Sequence, residues 1–128
     1  MAAASGSLHE REDSLSPELI DRHRAIMSLM EELEAVDWYD QRAAATSDEE
    51  LRGIVAHNRD EEKEHAMMLL EWLRRNDAVF AEVIGTYLNA DGPILEAEEA
   101  ATDGDDGASA GSSEGSLGIG SLKGRKIS

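Results

Sequence analysis

Between Asp48 and Arg75 the residues Leu51, Val55, Asn58, Glu62, His65, Leu69 and Trp72 follow one another at alternating steps of four and three. A stripe with that alternation stays on one side of an α-helix, the pattern of a helix packed along its length against other helices. Its middle is not apolar. Glu62 and His65 form a Glu-x-x-His pair inside a face that otherwise belongs in a core. Any fold for this chain must bury that stripe and still neutralise a carboxylate.

A second stripe precedes it. Ala25, Leu29, Glu32, Val36 and Tyr39 share one face of a helix that has no Gly or Pro from Glu18 to about Ala44, and Glu32 lies at its centre. Ser16-Pro17-Glu18 reads as its start, with a serine cap, proline in the first helical position and an acid in the first turn. The second helix opens in Thr46-Ser47-Asp48-Glu49-Glu50, where Ser47 and Glu50 have capping-box spacing. It runs to about Arg75, with Arg74 and Arg75 suitably cationic at its C-terminal end. Asn76-Asp77 caps a short third helix carrying Phe80, Val83, Ile84, Tyr87 and Leu88, and Asp91-Gly92-Pro93 stops it. The expected fold class is therefore all-α: an antiparallel two-helix hairpin plus a short third helix, completed to a four-helix bundle by dimerisation.

Composition divides the chain further. Residues 1–15 are small and polar, a flexible arm, and 16–95 form the helical domain. Residues 96–115 form an acidic Gly/Ser linker that does not fold alone. The terminal 116–128, SLGIGSLKGRKIS, holds no acid and three of the chain's twelve cations. A distinct sequence beyond a linker reads as a docking peptide on a tether.

The formal charge of −16 argues against nucleic-acid binding, which needs a basic footprint. With no cysteine, a metal could be held only by carboxylate and imidazole, which favours iron, manganese or calcium over structural zinc. No apolar run reaches the roughly 18 residues of a membrane span. The N-terminus lacks the basic start and apolar segment of a secretory signal, so the sequence reads as cytosolic or as reaching its compartment without secretion.

In so acidic a chain an isolated Glu-x-x-His is ordinarily surface decoration. Here three ligand-type residues, Glu32, Glu62 and His65, fall on two core stripes, and seam positions 55, 58, 69 and 72 offer no Arg or Lys. A buried carboxylate without compensation costs several kcal/mol or stays protonated. Metal is the simplest neutraliser. Ferritin-like di-iron sites draw one Glu from each of two helices and one Glu-x-x-His from each of two others. This chain carries half of that set, so two copies about a two-fold axis would complete it.

The runs HRAIMSLMEELEAVDWYDQR (23–42) and LRGIVAHNRDEEKEHAMMLLEWLRR (51–75) closely resemble the encapsulated ferritins, and SLGIGSLKG (116–124) resembles the cargo-loading peptide that docks them inside an encapsulin shell. The resemblance implies a ferroxidase oxidising Fe(II) with dioxygen at an inter-subunit di-iron site of Glu32, Glu62 and His65, with Tyr39 beside it. It implies homodimers assembled into a ring-shaped decamer, with mineral stored by the shell in the bacterial cytoplasm.

A further acidic face carries Glu31 and Glu34 on the first helix and His57, Glu61 and Glu64 on the second. By spacing alone it is equally a solvated surface. The resemblance implies accessory or entry metal sites there, with Trp38 nearby and calcium as an alternative occupant. Trp72, at a seam position, reads as core. Two other readings of the whole chain stay open: a non-catalytic helical cargo protein whose buried polar residues set register, and a different di-metal oxidase using manganese or reducing peroxide.

Overall fold

The computed structural model describes residues 8–100. After a single 3-10 turn at Glu12–Ser14, two long helices follow, α1 (Pro17–Ala45) and α2 (Glu49–Asn76), then the shorter α3 (Ala78–Tyr87). No strand occurs among the described residues. The all-α hairpin expected from periodicity is thus the observed architecture. No described helix is long and apolar enough to cross a membrane. The docking reading of 116–128 falls outside the described residues.

Local chemistry sets the helix ends. The Ser16 hydroxyl accepts from the Leu19 N–H at 3.1 Å, and Pro17 occupies the position where its missing N–H costs nothing. The α1–α2 turn differs from the expected capping box. Asp48, not Ser47, caps α2, its carboxylate accepting from the Leu51 N–H at 2.9 Å. The reason lies one residue earlier. Thr46 ends α1, and its hydroxyl accepts from the Asp48 N–H at 3.1 Å, which brings Asp48 into the capping position. Arg52 then ties the turn together. Its Nε donates to the Ala43 carbonyl at 3.0 Å and its second terminal nitrogen to the Thr46 carbonyl, both left over at the end of α1.

Two compact units divide after Asn76. The first is the hairpin. Its internal core is narrow: Ala25 and Ala43 from α1, with Val55, Ala66 and Leu73 from α2. Small residues at 25, 43 and 66 let the two helices run close together over their length. An ion pair also crosses between them, Arg59 to Asp40 at 3.0 Å.

The seven-residue seam of α2 splits into two columns. Val55 is buried and Glu62 and Leu69 are half-buried on the side facing α1. Leu51 (48%) and Trp72 (37%) keep much of their surface exposed in the other column, which also holds Asn58 and His65. Trp72 is therefore not a core residue of the single chain. One neighbouring helix covers only one flank of an a/d stripe, and the hairpin supplies only one neighbour.

In the second unit, Asp77 caps α3 by accepting from the Val79 and Phe80 N–H groups, each at 3.0 Å. The helix ends at Tyr87, with Asn89 (φ 64°) and Gly92 (φ 82°) in the left-handed region. Residues 94–100 are helical again, across the position 95/96 where composition separates domain from linker.

Candidate metal centre

Antiparallel pairing carries the middle of α1 past the middle of α2, so Glu32 meets the Glu-x-x-His of the facing helix. One ligand atom from each of Glu32, Glu62 and His65 lies within 4.8 Å of the others. His65 Nδ1 is 3.2 Å from Glu62 Oε1 and 3.6 Å from Glu32 Oε1. The first contact is within a single helix turn. The second joins the two helices.

One atom of the cluster stands out. Glu32 Oε1 is fully buried and has no hydrogen-bond partner. Buried carboxylate oxygens are ordinarily satisfied, and one left orphaned calls for an ion, a proton or water. No Arg or Lys pairs with Glu32 or Glu62 among the described residues. The donor set of two carboxylates and one imidazole suits a hard or borderline divalent cation such as Fe(II), Mn(II) or Zn(II). With charge −2 and a neutral ring, it neutralises one such ion.

Without a cation the three groups shift one another's titration. Glu62 holds the Glu32 carboxyl above its ordinary range, and desolvation adds to the effect. Glu62 moves the opposite way, lowered by the adjacent Glu32 carboxyl and then by His65. His65 is raised, first by its hydrogen bond to Glu62 and then by the charges of Glu32, Glu62 and Glu61. Glu32 and His65 thus hold protons more tightly than usual, and a cation would compete for the same atoms.

The other residues singled out in the sequence lie outside this cluster. Tyr39 is half-buried on the Glu32 stripe, seven residues and so about 10 Å further along α1. Glu31 is exposed and Glu34 half-buried. His57 Nε2 approaches Glu61 Oε2 at 3.5 Å, both largely exposed. Glu64 lines an open groove with Met67, Met68, Glu71, Trp72 and Arg75. Among the described residues only Glu32, Glu62 and His65 come together as a group of three. Sequence reasoning passed over Arg42, whose guanidinium lies over the Trp38 and Tyr39 rings. The signal was present in its spacing of four and three from them.

Comparison with known proteins agrees with this architecture. A family model described as EncFtn-like matches residues 7–91. An encapsulated ferritin-like protein of Rhodospirillum rubrum is 59% identical over 130 residues, covering 97% of this chain and 93% of the relative. A ferritin-like protein of Thermotoga maritima is 53% identical over 96 residues, covering 75% of this chain and 84% of that protein. A crystal structure of a Nitrosomonas europaea protein superposes with a TM-score of 0.66 at 57% identity, covering 69% of this chain and 97% of its own. A matched domain spanning both long helices, with a near full-length relative at this identity, establishes that the chain belongs to the EncFtn-like family of ferritin-like proteins.

Proposed function

We propose that the protein is a ferroxidase that oxidises Fe(II) with dioxygen at a di-iron site shared by two chains. The observation that carries this reading is the convergence of Glu32, Glu62 and His65 around a buried oxygen with no partner. Iron is the substrate here, and each Fe(II) gives one electron to oxygen. Two chains would bring four glutamates and two imidazoles, balancing two divalent ions. Carboxylate-rich ligation favours the ferric product over the ferrous reactant, which drives oxidation.

The exposed apolar surface supports pairing. On α1 the residues Leu19, Ile26, Met30 and Leu33 repeat at steps of seven, four and three, and all remain exposed in the single chain. On α2 the open column of Leu51 and Trp72 flanks His65. Stripes of this kind on a two-helix unit are what a four-helix bundle buries. The sequence resemblance to the encapsulated ferritins extends the proposal. Two chains form the dimer, dimers form a ring-shaped decamer, and Tyr39 lies on the Glu32 stripe about 10 Å along α1 from the site. Glu31 and Glu34, with His57, Glu61 and Glu64, form accessory positions that attract cations, iron or calcium. The Rhodospirillum rubrum relative is named as encapsulated. We extend that to this chain through 116–128, a peptide loading it into an encapsulin shell in the bacterial cytoplasm.

Aerobic addition of Fe(II) to the full chain, followed by absorbance of the ferric product, tests the activity. Wild type should oxidise iron well above the protein-free rate. Glu62→Ala should lose about tenfold or more, the loss that even outer partners of a metal commonly cause. Equal rates for wild type and Glu62→Ala would overturn the assignment. A wild type that takes up no iron would favour a non-catalytic helical module.

A further inference from the structure

Toward the loop end of α1, the guanidinium carbon of Arg42 lies 5.6 Å from the centre of the Tyr39 ring and 6.0 Å from that of Trp38. Residues three and four apart are neighbours on a helix surface, so one side chain can reach both rings. The placement is unusual in this chain. Acids outnumber Lys and Arg by 28 to 12. Arg11, Arg24, Arg52, Arg59, Arg74 and Arg75 each pair with a carboxylate. Arg42 forms no such pair among the described residues and rests against aromatic faces instead.

We infer that Arg42 is a positioning residue that protects Tyr39 and Trp38 from one-electron oxidation. The negative face of an aromatic ring attracts a cation held within about 6 Å. Taking an electron from the ring removes that attraction, and replaces it with repulsion while the ring is a radical cation that has not yet lost its proton. The guanidinium therefore stabilises the reduced ring and raises its oxidation potential. Tyrosine oxidation sends one electron to the oxidant and the phenolic proton to water, leaving a neutral tyrosyl radical. Tryptophan loses one electron and its indole N–H proton in the same way. The relevant oxidant class is a selective one-electron radical such as the carbonate radical, formed with Fe(III), hydroxide and water when Fe(II) reduces hydrogen peroxide in the presence of bicarbonate. It takes the ring's electron to become carbonate. The biological purpose of the shield rests on the ferroxidase reading, because Tyr39 shares the stripe of Glu32. The shield itself does not.

The test uses the full chain without metal, exposed to radiolytically generated azide radicals, which take one electron and become azide. Peptide mass spectrometry measures oxidation at Trp38 and Tyr39 relative to Trp72 and Tyr87 in the same sample. Trp72 and Tyr87 lie on other helices, α2 and α3, so they normalise the radical dose between variants. Arg42→Gln should raise the Trp38 and Tyr39 ratios by about three- to fivefold. Arg42→Lys keeps a cation over the rings and should stay within about twofold of wild type. Unchanged ratios in Arg42→Gln, or Arg42→Lys as sensitive as Arg42→Gln, would overturn the inference. No iron enters the assay, so a failed ferroxidase reading leaves its result standing.

Discussion

Replacing Glu32 by Gln should stabilise the metal-free protein and destabilise the metal-loaded one. Ligand atoms of Glu32 and Glu62 lie no more than 4.8 Å apart. Two full charges at that separation repel by about 1 kcal/mol in a water-like medium and by about 3 kcal/mol at an effective dielectric of 20. The two side chains keep 26% and 24% of their surface accessible, so the screened end of that range applies, about 1 kcal/mol. The pH dependence fixes the sign. Glu32 titrates above its ordinary value in the folded chain, so folding is favoured at low pH. That contribution is lost as pH rises past the unfolded value and through the folded one. A glutamine escapes the loss.

With EDTA at about pH 8, Glu32→Gln should therefore gain about 1 kcal/mol, or about 4–8 °C in Tm for a unit of this size. Near pH 3, well below the ordinary glutamate value, Glu32 of the wild type is protonated in both states, and the gain should vanish. A redox-inert cation such as Zn(II) reverses the order. At a hundred times its Kd, a ligand bound only by the folded state adds about 2.7 kcal/mol, and the neutral amide forfeits most of that. Thermal melts by far-UV circular dichroism at fixed protein concentration would show both signs. A variant less stable than wild type in EDTA at pH 8, or one that gains as much from Zn(II), would refute the reasoning.

Metal uptake should weaken as pH falls, because Glu32 and His65 both hold protons more tightly than usual and must release them to a cation. Calorimetry in buffers of different ionisation heat should show proton release on Zn(II) binding, reduced in His65→Ala. Arg52→Ala removes donors to the Ala43 and Thr46 carbonyls and should cost the hairpin about 1 kcal/mol, read as a lower urea midpoint. Deleting 116–128 should leave Fe(II) oxidation intact and abolish co-purification with a co-expressed encapsulin shell. Undiminished co-purification would remove the docking role.

What the sequence made legible, and what it did not, follow from one physical distinction. Helix existence and facing depend on periodicity within a short window, so both long helices and the stripe positions of Glu32, Glu62 and His65 could be read directly. The turn depends on competition between neighbours. Ser47-x-x-Glu50 and Asp48 were both eligible caps, and the Thr46 hydroxyl on the Asp48 N–H placed Asp48 there. Arg52 was visible as a residue, but the carbonyls it satisfies exist only once α1 has ended. Trp72 shows the larger point. Its seam position implied burial, yet a hairpin supplies one neighbouring helix, and α1 covers the column of Leu51, His65 and Trp72 only in part, leaving Leu51 48% and Trp72 37% exposed. The stripe therefore records more packing than one chain can provide. His65, at 44% side-chain exposure, sits in that same partly covered column while its Nδ1 faces Glu62 and Glu32. The apolar surface that calls for a partner and the ligands that make half a site thus occupy one face. In the shared-site proposal, burying that face and completing the metal centre are a single event.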